Sequence, residues 1–332
     1  MLSIVIPTHQ RTDLLRACLQ VVVKHAPPGS EIVVVDDASP HAEASGLAHA
    51  FGVKFIRFDR QRGFAVAANT GIRASRGDVV EMLNDDTEVQ PGWADAALKW
   101  FDDPAIGAVA PLVLAWPDGR TIDSAGDCYY IGGVAGKRGH GLPFSPLAGR
   151  ASDGLCEPSL ARPANDFLHP CRVFGTSAAA GFYRRSALDQ VGLFPEEFGS
   201  YFEDVDLAFR LNRAGFRTMY EPASRVLHHI SASYGKVGRR LIERQSCNEE
   251  RVFWRNLPTP MLRRALPKHL LVLIGKAWLR LNEGTILPWA FGRIRAASEW
   301  RELSRMRTAS TGDADLDWRI DETIPRLPHR PV

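Results

Sequence analysis

The first 115 residues alternate apolar runs of strand length with stretches that have helical periodicity. The strand-like runs are residues 2–6, 31–35, 53–58, 79–83 and 106–114. The stretches between them carry apolar residues at helical spacing and end at proline or glycine. Because parallel strands are joined by such helical crossovers, the alternation predicts an α/β fold on a Rossmann-like, doubly wound, mostly parallel sheet.

Polar residues follow three of these predicted strands directly. They are Thr8 and Arg11, which come after Pro7 at the end of the first strand, then Asp36-Asp37, then Asn84-Asp85-Asp86. The carboxyl ends of neighbouring parallel strands meet at one edge, where open α/β sheets bind ligands. The adjacent carboxylates of Asp85 and Asp86 need a compensating cation, and a divalent metal carrying a phosphate supplies one. A solvated Asn-Asp-Asp turn is the alternative interpretation.

The second part of the chain begins with a long irregular stretch. Residues 116–170 are rich in glycine and proline and predict a lid, a binding surface or a disordered insert, with a hairpin at 129–137. Regular structure resumes at 172–183, and strands are predicted at 217–220 and 224–229, the last ending in His228 and His229. Between them, Glu203, Asp204 and Asp206 open a helix. Acids are favoured in a first turn by the helix dipole, so a purely structural role is open for each of them.

The region 236–308 is basic and helical in pattern. Residues 236–307 hold 16 Lys or Arg against 6 Asp or Glu, a balance of 16 − 6 = +10, whereas the whole chain carries +3. Leu-Pro pairs at 257–258, 266–267 and 287–288 predict breaks. The stretch 269–281 is amphipathic but too short to span a bilayer, so it either lies on a membrane surface or packs as a helical appendage. The tail 309–332 is expected to be loosely ordered.

Other features exclude several classes of protein. Five scattered cysteines without C-x-x-C spacing disfavour a disulfide framework or a zinc site and fit a reducing cytoplasm. The amino terminus lacks a charged leader, and no window reaches the roughly 18 apolar residues of a membrane span. No G-x-G-x-x-G follows the first strand and no P-loop occurs, which disfavours dehydrogenases and P-loop NTPases. An aspartate after the second strand can instead read a nucleobase or a ribose hydroxyl.

The motifs resemble one family when they are taken in order. They are IVIPTHQR, IVVVDDAS, RGFAVAANTGIRASRGD, MLNDDT, AAAGFYRRSAL, VGLFPEEFGSYFEDVDLAFRLNRAGFR and VLHH. Together they resemble inverting family 2 glycosyltransferases with a GT-A fold, most of all the rhamnosyltransferase-like and galactosyltransferase-like members of bacterial surface polysaccharide and lipopolysaccharide synthesis. The resemblance implies a catalytic domain at 1–235, with a nucleotide-sugar half at 1–115 and an acceptor half at 116–235. A basic helical region, 236–308, and the tail, 309–332, would follow.

The resemblance also implies roles for the matching residues. Asp86 would ligate Mg²⁺ or Mn²⁺, His228 would complete the metal site with His229 as the competing register, and Asp204 would be the general base. The donor-side residues would be Pro7, Thr8, Arg11, Asp37, Gly63, Asn69, Asn84 and Asp85. Glu203 and Asp206 would lie on the acceptor side, with orientation of Asp204 and capping of the helix as their alternative roles.

The implied reaction is metal-dependent and inverts the anomeric centre. Asp204 would take a proton from an acceptor hydroxyl, which attacks a hexose or rhamnose-like deoxyhexose on a dTDP, UDP or GDP donor. The acceptor would be a glycan or lipid-linked glycan, and the protein would be cytoplasmic and peripheral at the inner face of the cytoplasmic membrane, on anionic lipid. No nucleic acid partner is expected, and the oligomeric state stays open, a homodimer included.

Two other classes of protein share parts of this pattern. A sugar-nucleotide pyrophosphorylase would have the fold and the metal, but normally a glycine-rich basic loop after the first strand, and residues 7–11 contain no glycine. A non-catalytic carbohydrate-binding protein would be expected to lack Asp86 or Asp204, and both are present.

Overall fold

The structure is a computed structural model that describes residues 1–41, 43–144, 167–230, 238–308 and 320–321. The amino-terminal part contains β1 (Leu2–Thr8), α1 (Thr12–His25), β2 (Glu31–Asp36), α2 (Glu43–Ala50), β3 (Lys54–Arg57), α3 (Phe64–Ala74), β4 (Val79–Leu83), β5 (Thr87–Val89), α4 (Trp93–Leu98) and β6 (Ile106–Ala115). The middle part contains β7 (Ile122–Ser124), β8 (Asp127–Tyr130), β9 (Val134–Lys137), β10 (Cys171–Val173), β11 (Ala180–Arg184), α5 (Arg185–Val191), α6 (Glu203–Arg213) and β12 (Arg217–His228). The last elements are α7 (Arg239–Asn256), α8 (Thr259–Asn282), α9 (Ile286–Ser298), α10 (Trp300–Thr308) and β13 (Ile320–Asp321).

The main sheet has the strand order β10-β12-β6-β11-β4-β1-β2-β3, with β5 beside β12 and β7 beside β6. Strands β4, β1, β2 and β3 are mutually parallel, and β12 is parallel to β6. Only β11, among the strands between β12 and β3, runs against both of its neighbours, β4 and β6. The prediction of a mostly parallel α/β sheet is therefore confirmed.

Both faces of the sheet are covered, because successive residues of one strand enter different cores. In β1, Ile4 packs in one cluster with Leu19 of α1. Its neighbour Val5 packs in another cluster with Ile72 of α3. A strand that is buried on both faces needs a continuous apolar run, and this is the pattern that the sequence shows.

Three details differ from the sequence-based expectations. The predicted strands 217–220 and 224–229 form one strand, β12, with an irregularity between Glu221 and Arg225. The predicted break at 266–267 is absent, since α8 continues through Pro267. Pro288 lies in the first turn of α9, where proline lacks no helical hydrogen bond, and only the 257–258 break separates two helices. Residues 145–166 and most of the tail lie outside the described residues.

The helical region shares a core with the preceding part of the chain. Phe253 and Leu257 of α7 lie in one buried cluster with Tyr129, Phe198 and Phe209. The hairpin predicted at 129–137 is present as β8 and β9. No helix among the described residues is long and apolar enough to cross a membrane. The four cysteines among the described residues, Cys18, Cys128, Cys171 and Cys247, are all buried.

Candidate active site

The ends of β1 and β4 are joined by a hydrogen bond between two predicted donor-side residues. Thr8 ends β1, and its Oγ1 donates to Oδ2 of Asp85 at 2.6 Å. Both side chains are buried. Burial raises the pKa of Asp85 to about 7 although the Thr8 hydrogen bond lowers it, and the neighbouring Asp86 raises it further.

Asp36, the last residue of β2, and Asp37, which follows it, organise the loops beside this bond. Oδ1 of Asp36 accepts from the backbone N–H and the hydroxyl of Ser39, at 3.0 and 2.5 Å. Asp37 accepts from the backbone N–H groups of Arg62 and Gly63, at 2.6 and 2.9 Å. Gly63 has φ +94°, a left-handed conformation that favours glycine, and it directly precedes α3. Asp37 thus ties the loop before α3 to the end of β2.

A chain of three side chains starts at the second acid of the Asp85-Asp86 pair. Nε2 of His228 lies 3.2 Å from Oδ1 of Asp86, and its Nδ1 lies 2.9 Å from Oδ2 of Asp123. Asp123 is 1% exposed and also accepts from Nζ of Lys137 at 3.0 and 3.1 Å. Strand β12 places His228 beside Thr87 of β5, one residue after Asp86. The imidazole is therefore held at both nitrogens.

Asp86, His228 and Asp123 stabilise one another's charged forms. Burial raises the pKa of Asp86, but the hydrogen bond and charge of His228 outweigh burial and bring it below the ordinary value. Burial likewise opposes ionisation of Asp123, yet its contacts with His140, His228 and Lys137 hold its pKa well below the usual range. For His228, burial lowers the pKa, whereas Asp123 and Asp86 raise it to about 9.

The neighbouring histidine points to a different partner. Nε2 of His229 lies 2.9 Å from Oε1 of Glu88, and its ring stacks on Trp116 with centroids 4.3 Å apart. Of the two histidines, only His228 has its ring nitrogen at Asp86. The geometry therefore favours His228 over His229 as a partner of a metal at Asp86.

The donor set at Asp86 and His228 fits a divalent metal. A carboxylate oxygen and an imidazole nitrogen converge, and the other imidazole nitrogen is fixed by a carboxylate, as is usual for a ligating histidine. Within the described ranges, no group of three or more His, Cys, Asp or Glu side chains is arranged to hold an ion. Two protein ligands leave the remaining positions to phosphate and water oxygens, which suits Mg²⁺ or Mn²⁺.

Asp204 lies in the first turn of α6 at the same edge of the sheet. Its Oδ2 accepts from the backbone N–H of Ala178 at 3.1 Å, and its Oδ1 from that of Val205 at 2.9 Å. The carbonyl of Ala179, the next residue after Ala178, accepts from the N–H of Asn84 at 2.9 Å. Residues 178–179 therefore connect Asp204 to the start of the Asn84-Asp85-Asp86 motif.

Other acids lie near Asp204 inside the protein. Burial raises the pKa of Asp204, and it raises those of Glu203 and Asp127 well above their usual values, with the charge of Asp204 adding to both. Lys137, which contacts Asp123, lowers the pKa values of both Asp127 and Asp204. The positive charge of Lys137 therefore acts on Asp123, Asp127 and Asp204.

The backbone at this edge is strained. Among the described residues, non-glycine positive φ values occur at Gln10 (64°), Ala38 (60°), Tyr201 (70°) and Phe202 (70°). Gln10 follows β1, Ala38 follows β2, and the last two directly precede α6. Such conformations cost of order 1–3 kcal/mol each and cluster at functional sites. Their grouping independently marks this edge.

Two predicted site residues have other contacts. The side-chain amide of Asn69 forms two hydrogen bonds with the backbone of Phe194, and its Nδ2 also donates to Glu196. Asn69 lines a separate cavity of about 720 Å³ beside α3 and α5. Asp206 is fully buried against Arg210 and Asn256. Asn69 and Asp206 therefore have structural contacts, and their donor-side and acceptor-side roles stay predictions.

The remaining predicted residues lie at or near the edge. Pro7 is buried in β1 opposite Val35 of β2. Arg11 precedes α1 and pairs with Asp13 at 3.3 Å. Asn84 is half-buried, with its carbonyl accepting from the hydroxyl of Thr87.

Sequence reasoning missed Asp123, Asp127 and Lys137. All three belong to the stretch 116–170, which has no periodicity to place a side chain on a particular face. The sequence does show charged residues concentrated around the predicted hairpin, but this concentration does not indicate which residue each of them contacts.

The fold and the site define an α/β protein with an acid and histidine pair at the carboxyl edge of a mostly parallel sheet. The family model for glycosyl transferase family 2 matches residues 3–192, more than half of the 332 residues. The chain therefore belongs to glycosyl transferase family 2, and its fold is the GT-A fold of glycosyltransferases.

Several curated proteins are similar to this chain. A pre-mycofactocin glycosyltransferase of Mycobacterium tuberculosis is 27% identical over 322 residues, 95% of this chain and 60% of the relative. The N-acetylglucosaminyl-diphospho-decaprenol L-rhamnosyltransferase of the same species is 35% identical over 165 residues, 48% of this chain and 49% of the relative. The O-antigen biosynthesis protein RfbC of Myxococcus xanthus is 27% identical over 236 residues, which are 70% of this chain and 17% of the relative. The chain thus spans between 17% and 60% of the length of these relatives.

Two solved structures share the fold. GalNAc-T7 with UDP, GalNAc and Mn²⁺ has a TM-score of 0.58 at 18% identity, over 77% of this chain and 50% of that chain. The mannosyltransferase PcManGT from Pyrobaculum calidifontis, in complex with GDP-Man and Mn²⁺, has a TM-score of 0.53 at 17% identity. The match covers 92% of this chain and 84% of that chain. At these identities the likeness concerns the fold.

Proposed function

We propose that this protein is a metal-dependent inverting glycosyltransferase that transfers a hexose or deoxyhexose from a nucleoside-diphosphate sugar to a saccharide hydroxyl. The observation that carries the proposal is the Asp86–His228 pair after β4, with Asp204 held by the backbone N–H of Ala178, the residue before the one that contacts Asn84. Asp86 and His228 would hold Mg²⁺ or Mn²⁺, and the bound ion would neutralise the charge of the diphosphate leaving group.

Asp204 is the proposed general base. Burial raises its pKa, so its carboxylate is a stronger proton acceptor than an exposed aspartate. The N–H groups of Ala178 and Val205 hold one oxygen each and fix the direction of the remaining lone pairs. An acceptor hydroxyl that gives its proton to Asp204 attacks the anomeric carbon from the side opposite the diphosphate, which inverts the configuration.

The donor nucleotide would lie along the ends of β1 and β2. Asp37 and Gly63 shape the loop there, and Thr8 holds Asp85 in place. Carboxylates at this position can accept from an imide N–H of uracil or thymine and also from guanine, so dTDP, UDP and GDP donors are the candidate class. We favour dTDP-rhamnose or a UDP-hexose, since one relative is named an L-rhamnosyltransferase.

The acceptor would be a glycan or lipid-linked glycan of a surface polysaccharide. The support comes from the names of two relatives, an O-antigen biosynthesis protein and an N-acetylglucosaminyl-diphospho-decaprenol L-rhamnosyltransferase. Glu203, buried next to Asp204, would orient that base. A lipid-linked acceptor would require a peripheral location at a membrane surface.

A panel of nucleotide sugars with Mn²⁺ or Mg²⁺ tests the proposal. We expect one donor to be hydrolysed slowly and to raise the melting temperature, with both effects lost in Asp86→Ala. The exposed Asp118→Ala serves as the control, because Asp118 contacts Arg120 in its own loop. If no donor binds, or if the protein makes a nucleotide sugar from a nucleoside triphosphate and a sugar 1-phosphate, the proposal is wrong.

A further inference from the structure

Helices α8 and α9 both carry large apolar side chains that are exposed. The two helices touch and are separated only by residues 283–285. Three large side chains of α8, spaced by four residues, and three of α9, at helical spacing, are 58–68% exposed: Leu270, Ile274, Trp278, Leu287, Phe291 and Ile294. We call these six residues the apolar hairpin face. Contiguous apolar surface of this kind is uncommon on a protein that has no partner for it.

The other sides of both helices already serve the core. Ala265 and His269 of α8 are buried, and His269 contacts the carbonyl of Gly132 at 2.8 Å. In α9, Gly292 lies so close to α7 that a Cβ there would come 2.2 Å from the carbonyl oxygen of Glu243. Core packing therefore explains these inner sides and leaves the apolar hairpin face without a role in the fold.

The helical region that carries this face is strongly basic. Four of its six acids form ion pairs within the region, since Glu249 and Glu250 pair with Lys276 and Arg293, Glu283 with Arg280, and Glu299 with Arg251. Exposed cations on the same helices include Arg263 and Arg295, and α10 adds Arg301. The net charge of residues 236–307 is +10, counted from the sequence. An apolar surface with surrounding cations matches the chemistry of anionic lipid headgroups above acyl chains.

We propose that the apolar hairpin face docks the protein onto an anionic lipid bilayer, lying in the headgroup region. A second copy of the chain fits less well, because two such regions would bring like charges together. The helices described here are not long and apolar enough to cross the bilayer, so the contact would be with its surface. Docking needs no turnover, and its test is independent of the glycosyltransferase reaction.

Flotation of the full-length chain with phosphatidylcholine vesicles, with or without phosphatidylglycerol, tests this proposal. We expect flotation with the anionic vesicles, weak flotation with the neutral ones, and loss of binding as salt rises from about 0.05 to about 0.5 M. The double variant Trp278→Ser/Phe291→Ser should weaken binding about tenfold or more, because each large apolar side chain contributes through its buried area. Arg263→Glu/Arg301→Glu should weaken binding to anionic vesicles only.

Val23→Ser is the matched control, since Val23 is a 43% exposed apolar residue on α1, outside the hairpin. It should float like the parent protein. A second double variant, Leu287→Ser/Ile294→Ser, repeats the test should the first fail to fold by circular dichroism. The proposal is overturned if folded variants float like the parent, if the parent ignores anionic vesicles, or if the same substitutions only abolish self-association in sedimentation experiments without lipid.

Discussion

Nδ1 of His228 lies 2.9 Å from Oδ2 of Asp123, 105 residues away in the sequence, and this contact directs Nε2 of the same ring to Asp86. Asp123 is in turn fixed by Lys137. The proposed metal pair therefore depends on a carboxylate from the stretch between β6 and β11. Removal of that carboxylate should loosen the imidazole without touching either ligand.

We expect Asp123→Ala to weaken Mn²⁺ binding by about 10–100-fold, because partners of this kind orient a ligating histidine. Asp123→Asn keeps an oxygen for Nδ1 and should lose less. Calorimetric titration of Mn²⁺ in the presence of UDP measures the affinity without turnover. Asp118→Ala, an exposed aspartate five residues earlier, should leave the affinity unchanged. Equal Mn²⁺ affinities for all four proteins would contradict the role of Asp123.

Substitution by asparagine should lower kcat at Asp204 but lower the free energy of unfolding at Asp206. Asp204→Asn removes the proposed base and should lower kcat by about 10²–10⁴-fold, with donor binding retained. Asp206→Asn leaves the buried contacts with Arg210 and Arg255 without a counter-charge and should reduce the free energy of unfolding by about 2–4 kcal/mol. Single-turnover assays and urea unfolding of both variants separate the two effects. A large loss of kcat only in the Asp206 variant would reverse the assignment.

Asn248 of α7 should control the loop that precedes Asp204. Its Nδ2 donates to the carbonyls of Phe198, Ser200 and Tyr201, at 2.9, 3.2 and 3.0 Å, next to the strained residues 201–202. Asn248→Ala should cost about 1–3 kcal/mol of stability and lower kcat more than it changes the donor KM. Steady-state kinetics below the unfolding transition measure this split.

Asn212→Ala provides the comparison for Asn248→Ala, because Asn212 is equally buried and bonds the carbonyls of Phe174 and Ala208. Its stability loss should be similar, with a smaller effect on kcat. If the two variants lose kcat to the same extent, the loop contacts of Asn248 have no special catalytic consequence.

Glu81 should make the fold less stable as pH rises. It is fully buried in β4, where burial raises its pKa to about 8 although a hydrogen bond from Trp93 lowers it. Between the unfolded value of 4.5 and about 8, the unfolded chain loses its proton while the folded chain keeps it, so the free energy of unfolding falls across this window.

Glu81→Gln removes this ionisation and should be more stable than the parent at pH 8 by about 2–4 kcal/mol. The difference should shrink towards pH 5. Urea unfolding at several pH values measures it, with the exposed Glu302→Gln as the control. A parallel pH dependence of the parent and the Glu81 variant would show that Glu81 is ionised in the fold.

Much of the fold could be predicted because strand periodicity and strand ends are local features. The apolar runs gave β1, β2 and β4, and their carboxyl ends place Thr8 and Asp85 together because parallel strands share an edge. The helical pattern could also have assigned Asp204 and Asp206 to different surroundings, because side chains two residues apart on a helix point in nearly opposite directions. Asp123 could not be found, because its partners, His228 and Lys137, are set by tertiary packing alone.

The antiparallel strand β11 returns the chain beside β6, the strand from which it departed, with β7 to β10 between them. That segment could therefore be replaced without altering the order of β4, β1, β2 and β3. A replacement segment must bring its own counterpart of Asp123, because the His228 ring would otherwise lose its contact at Nδ1. Changes between β6 and β11 would thereby act on the proposed metal pair through one carboxylate.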